Sequence, residues 1–357
     1  MDKMMNISAK ISGIKYTPLL CRALNTFDFS QLSQALSEDG TFVLNIDEKN
    51  KIAVSYWVSS KRSRSYPYAR VYDSLKFSGK KLTIIPIFKD EGLGGDRDFL
   101  QWDTISLMSL LGVYVIVSYY EDAERNIKYE NKITNQRFDI KQVQSEIRKL
   151  LSYQSDALHW NLEQINKVGE FSKKALQLYD EISRKLGVKM HSKESAETRI
   201  KKLLKGKEVF MDMSRELAHN AQKRESVTIQ PKEKLTGIKA ILTIKNYLGG
   251  YYYFTADEAE INKDNLYLIE AKNSKEGNLP SLSDIKDGLF KMILFTNFED
   301  VKIDNKNYKP MPILKLTTKK DFDIKIISNS EKEMLNLLKK EADSNGFEIM
   351  INNNQYQ

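Results

Sequence analysis

Cysteine is nearly missing: Cys21 is the only one in 357 residues. An internal disulfide framework is therefore excluded, and a reducing cytoplasm suits the chain. Histidine is almost as scarce, at His159, His191 and His219. One cysteine and three scattered histidines supply too few ligands for a zinc site and argue against cysteine or histidine catalysis. Long hydrophobic runs are lacking as well. The longest, "VYVIVSYY" (113–120), falls far short of the roughly 20 residues a membrane-spanning helix needs. The opening "MDKMMNISAKISGIKY" has no apolar core of a signal peptide. The expectation is a soluble, cytoplasmic protein with no membrane partner. "GLGGD" (92–96) lacks the Gly-Lys-Ser/Thr ending of a phosphate-binding loop, and no motif calls for an organic cofactor.

What is present is positive charge and ordinary apolar content. The net charge of +8 favours polyanionic partners, because phosphate contacts supply sequence-independent affinity. The lysine- and asparagine-rich composition of AT-rich genomes accounts for part of the same excess.

Three portions follow one another along the chain. Residues 1–137 read as an α/β domain. "KIAVSYWV" (51–58) predicts a strand running into a basic, aromatic loop, "SSKRSRSYPYARVY" (59–72). "KKLTIIPIF" (80–88) and "VYVIVSYY" predict buried strands, with an apolar helix over "FLQWDTISLMSLLG" (99–112) ended by Gly112. Residues 138–223 show apolar spacing of three and four and predict a helical connector. Residues 224–357 return to strands: "GIKAILTIKNYL" (237–248), "YYYFTADEAEI" (251–261) and "LYLIEAKN" (266–273) predict a meander of hairpins. A helix over "SLSDIKDGLFKMILFTNF" (281–298) follows, capped by Ser281 or Ser283. Strands over "PMPILKLTT" (310–318) and "FDIKIIS" (322–328), a helix opened by a Ser330/Glu333 capping box, and a terminal strand "FEIMIN" complete the chain. The fold class is α/β, in the mixed α+β sense.

The chemistry concentrates in "LYLIEAKNSK" (266–275). Residues two apart in a strand share a face, so Glu270 and Lys272 project together. One strand earlier, Asp257, Glu258 and Glu260 lie within four residues. Carboxylates converging at a strand end suit a hard divalent cation such as magnesium, and a lysine beside them can orient water or offset developing negative charge. Such a set suits phosphodiester hydrolysis. Taken alone, the triplet is better explained as an ordinary ion pair at a solvated strand end; the apolar strand it ends, the acid thirteen positions upstream and the amphipathic helix that follows change that.

Asp257, a hairpin, Glu270-Ala271-Lys272 and a following helix together resemble the active-site core of the PD-(D/E)XK nuclease superfamily, over residues 237 to 318. The signature proline is replaced by Ala256. A basic chain of this size with one such core is similar to type II restriction endonucleases. The resemblance implies a mixed sheet flanked by helices, with Asp257, Glu270 and the Ala271 carbonyl as Mg2+ ligands and Lys272 positioning the attacking water. Glu258 or Glu260 replaces Asp257 if the register slips by one, and Glu216 is a further carboxylate for the site. Lys286 and Lys291, on the following helix, fit either phosphate contact or a solvated face. Lys61, Arg62, Arg64, Tyr66, Tyr68 and Arg70 fit DNA contact, as they fit a solvated loop.

The expected function is a type II site-specific deoxyribonuclease cutting duplex DNA as a homodimer on a palindromic site. A repair or defence nuclease without strict sequence specificity is the alternative within that chemistry, and a non-catalytic DNA-binding protein the alternative outside it. A competing acidic loop, "KDEGLGGDRD" (89–98), offers Asp90, Glu91, Asp96 and Asp98 but no acid-x-Lys triplet.

Overall fold

The computed structural model describes residues 4–61, 67–203, 209, 212, 215–216, 219–220, 238–247, 250–274, 279–318 and 327–356. Its architecture is mixed α/β, and none of the described helices is long and apolar enough to cross a membrane. The chain divides into two compact units, Ala23–Glu216 and a unit formed by Met1–Arg22 with Leu217–Gln357. The first residues thus belong with the C-terminal portion rather than with 23–137, and the helical segment belongs with the strands that precede it.

In the unit that joins both chain ends, a nine-stranded sheet forms among the described residues. Its order is 306–307, 299–303, 5–11, 238–246, 251–262, 265–273, 309–317, 348–351 and 354–355. The strands Ile238–Asn246, Tyr251–Asn262 and Asn265–Asn273 are antiparallel neighbours. Asn265–Asn273 then pairs in parallel with Lys309–Thr317. That parallel step needs a crossover, which the helix Leu282–Phe295 supplies; Ser281 caps it by accepting from the Asp284 amide at 3.1 Å. Ile285, Leu289, Phe290, Met292, Ile293 and Phe295 are all fully buried, so this helix is covered on most of its circumference. Gly288 permits close packing: a Cβ there would stand 2.7 Å from Leu314 Cδ1 and 3.2 Å from Lys272 Cε.

The strand Met5–Ile11 pairs in parallel with Ile238–Asn246, Ile7 opposite Leu242. The residues after it are tied down by Glu341, which is fully buried on the helix Asn329–Asn345. Its carboxylate accepts from the Tyr16 hydroxyl at 2.7 Å and from the Leu19 and Leu20 amides at 2.8 and 2.9 Å. That helix is opened by a Ser328/Glu331 capping box, two residues before the expected pair, because the same Ser-x-x-Glu spacing occurs at both places. The expected strand 322–328 lies almost wholly outside the described residues.

In the other unit, a five-stranded sheet runs in the order 26–28, 41–45, 51–56, 81–86 and 113–118. Pro67 opens a helix, Pro67–Ser74, where a basic loop was expected up to 72; proline's fixed φ suits a first helical position. The 138–203 helices pack as part of this unit. Trp160 Nε1 donates to the Val115 carbonyl at 2.7 Å, Asn161 accepts from the Val115 amide at 2.7 Å, and Gln164 accepts from the Val117 amide at 3.3 Å. These side chains of Ala157–Asn166 occupy the open backbone edge of Val113–Ser118, which would otherwise template strand addition. Burying that edge turns the expected connector into a component of the unit.

Candidate functional site

The strand Asn265–Asn273 lies inside the sheet, with neighbours on both sides. Leu266, Leu268 and Glu270 alternate along one face, all at 2% exposure or less. Glu270 itself is 2% exposed, and a buried carboxylate is costly unless paired. The pairing is double. Lys272 Nζ lies 2.9 Å from Glu270 Oε1, and Lys291 Nζ lies 2.6 Å from Glu270 Oε2. Lys272 also reaches Asp287 Oδ2 at 2.9 Å, and Lys291 also donates to the Thr255 carbonyl at 3.1 Å.

Asp287 and Lys291 are four residues apart on Leu282–Phe295 and so share one helix face. The helix therefore lays one acid and one base over the acid and base of the strand. Burial alone would push the Glu270 carboxyl up, but the ammonium groups of Lys272 and Lys291 outweigh it and hold it below the ordinary glutamate value. Burial likewise opposes the charge on Lys272, yet Glu270 and Asp287 raise its pKa well above that of an ordinary lysine. Lys272 is thus an ammonium at neutral pH: a donor and a positive charge rather than a base.

Asp257 sits in an irregular stretch. Ala256 pairs with Ala240 while Ala259 pairs with Ile238, so one extra residue is accommodated at 257–258. Such a bulge re-aims side chains. Asp257 Oδ2 accepts from the Ala271 amide at 2.8 Å, which brings this carboxylate against the peptide joining Glu270 to Ala271. The alternates lie elsewhere. Glu258 stands opposite Ile269, and Glu260 opposite Tyr267. Directly opposed residues share a face, which places both on the side away from Glu270 and Lys272. Glu258 is buried there against Lys315, 3.0 Å away, and Glu260 is exposed. Glu216 is exposed and falls in the other unit.

The residues proposed for DNA contact fare unevenly. Lys286 is 3% exposed because it shares the covered helix face with Phe290 and Ile293, so it is not on a solvated face. Arg70 donates to the Tyr56 carbonyl at 3.0 Å and stacks 4.4 Å from that tyrosine's ring centre. Tyr68 packs edge-on against Trp57. Lys61 is exposed; Arg62, Arg64 and Tyr66 lie outside the described residues.

The competing acidic loop is internally balanced. Asp90 is met by His191 Nδ1 at 2.7 Å, by the Gly92 amide at 2.9 Å and by Arg97 at 3.8 Å. Glu91 is met by Lys89 at 2.9 Å and Lys132 at 3.1 Å, and Asp98 accepts from the Ser59 hydroxyl at 2.6 Å. The Asp96 carbonyl accepts from the Glu91 amide at 3.0 Å. Among the described residues no group of three or more histidine, cysteine or acidic side chains gathers as a ready metal cage.

Asp287 and Lys291 complete the cluster around Glu270. The i, i+4 spacing of the two in an apolar helix was a readable signal for their shared face, whereas the Thr255 carbonyl has no sequence signature. Comparison of the chain with known protein families, with characterised proteins and with solved structures finds no match.

Proposed function

We propose that the chain is a metal-dependent nuclease acting on duplex DNA, in the manner of a type II restriction endonuclease, with Glu270, Lys272 and Asp257 at its centre. One observation supports this most. An inner strand delivers Glu270 and Lys272 together into a buried position, and Asp257 from the neighbouring strand bonds the peptide between them. The antiparallel triplet, the helix after the acid-x-Lys strand and the parallel strand beyond it agree with the mixed, helix-flanked sheet that the PD-(D/E)XK resemblance implies.

The donors suit magnesium. Carboxylates and peptide carbonyls are hard oxygen ligands, and a cation, the Lys291 ammonium, already sits between Glu270 Oε2 and the Thr255 carbonyl. Asp257 and Glu270 would hold the ion, with the Ala271 carbonyl. When bound, it would supply Lewis acidity and a nucleophilic water at neutral pH. Lys272, kept protonated by Glu270 and Asp287, donates to the attacking water or to the phosphoryl oxygens and offsets the charge that develops there. Cutting both strands of a palindrome calls for a two-fold dimer.

The completeness of the ion pairing favours a second reading, in which Glu270 and Lys272 merely stabilise a DNA-binding domain. Incubation with phage-length duplex DNA, in magnesium and in EDTA, separates the two. Discrete magnesium-dependent fragments are expected. A magnesium-dependent smear would keep the nuclease and remove site specificity. Binding that is equal in EDTA and magnesium, with DNA intact in both, would contradict the proposal and support the pure binder.

A further inference from the structure

Glu270 is saturated by two lysines that are not equivalent. Lys272 is clamped on both sides, by Glu270 and by Asp287, and its stem is packed where Gly288 leaves room. Lys291 bridges the Glu270 carboxylate and a neutral carbonyl, that of Thr255. A carboxylate oxygen and a backbone carbonyl converging on a positive centre form an oxygen ligand pair for a cation, and here the cation is tethered.

We propose that Lys291 is the resident counter-ion of the metal site: its ammonium holds the Glu270 oxygen that a divalent cation would take, and swings aside when that cation binds. This rests on the metal-dependent reading above and extends it to how metal is admitted. Charge argues for the exchange. A divalent ion and the Lys291 ammonium would share Glu270 Oε2, where two cations repel each other across a short distance; withdrawing Lys291 removes that repulsion. Residual charge is costly where Glu270 is 2% exposed. The lysine stem is flexible, and the 13% exposure of the Lys291 side chain leaves it a way to solvent. Lys291 leaves as the ammonium, with no proton transfer. Apparent metal affinity is then lowered by the fraction of molecules in which Lys291 has vacated the position.

The test is direct Mn2+ binding to the full chain without DNA, by titration calorimetry, for the natural protein, Lys291→Met and Lys291→Gln. Both variants are expected to bind Mn2+ more tightly by about tenfold or more, and adding Glu270→Gln should abolish the gain. Their melting temperatures should fall without metal and recover with Mn2+ by more than the natural protein gains. Unchanged or weaker Mn2+ binding in both variants would overturn the proposal, as would lost stability that Mn2+ does not restore. Tighter binding with no DNA cleavage in any preparation would uphold the counter-ion role and overturn the nuclease reading. Cleavage with unchanged affinity would do the reverse.

Discussion

Two buried glutamates lie on opposite faces of one sheet, and they are treated differently. Glu258 meets Lys315 at 3.0 Å, and both side chains are at most 5% exposed. The pair is sealed. Glu270 meets two lysines, one of which continues to Asp287, and the exposure rises outward from 2% at Glu270 through 16% at Lys272 to 25% at Asp287. A pair closed off from water in this way ties strands together. A graded chain of charges, buried at one end and wet at the other, can exchange a partner for an ion or a phosphate. The acidic loop of the other unit is graded in the same way, Asp90 and Glu91 being met by His191 and Lys132 at 25% and 29% exposure, but it carries no acid-x-Lys triplet on a strand. Burial of a charge thus points to function only where one end stays reachable.

Removing single partners should have the largest effect. Glu270→Ala takes the shared carboxylate from two ammonium groups, leaving Lys272 with Asp287 and Lys291 with the Thr255 carbonyl, and Lys315→Met takes the lysine from Glu258; each should destabilise by about 3–5 kcal/mol in urea unfolding. Replacing both members separates the faces. Glu258→Met with Lys315→Met should be neutral or stabilising, by up to about 4 kcal/mol, and should leave metal binding intact. A loss of metal binding in that double variant would place function on the wrong face.

A smaller effect is expected at Gly288. Alanine there meets Leu314 and the Lys272 stem, and the overpacking should cost about 1–3 kcal/mol, less the roughly 1 kcal/mol that alanine gains over glycine in a helix. Unfolding midpoints would show it, and an unchanged midpoint would mean that the helix does not sit so closely on Lys272.

The smallest effect is in pH. The stability contributed by Glu270, whose pKa is lowered, should be complete above the unfolded glutamate value of about 4.3 and be lost as pH falls through the lower folded value. That of Lys272, whose pKa is raised, is complete below about 10.4 and fades only as pH climbs towards its folded value. In Glu270→Gln the acid-side loss from this group should vanish from stability-versus-pH curves. Its persistence there would assign the loss to another carboxylate.

Much of this arrangement is legible in the sequence. Period-two and period-3.6 apolar patterns located the Asn265–Asn273 strand and the helix after it, and the acid-x-Lys triplet stood out because it ends an apolar run. What escaped was set by tertiary context. The strand Met5–Ile11 finds its partner more than two hundred residues away, a distance at which local patterning is silent. The extra residue at 257–258 is visible only once both flanking strands are paired, so Asp257, Glu258 and Glu260 could not be separated by alternation alone. The helical segment read as a connector because its apolar spacing of three and four falls between two α/β portions; that Asn161 and Gln164 serve a sheet edge with their amides is a tertiary fact with no local signal. Lys286 and Lys291 look alike in sequence, yet 3.6-residue geometry sends one into the core and the other to Glu270.

The central claim is that the Glu270 face, and not the Glu258 face, carries phosphodiester chemistry. The most direct measurement compares cleavage of long duplex DNA in magnesium by the natural chain, Lys272→Met, and the double Glu258→Met/Lys315→Met variant. Cleavage by the natural chain and the double variant, abolished in Lys272→Met while that variant remains folded, is the predicted result. Intact DNA with the natural chain, or cleavage that survives the loss of Lys272, would contradict it.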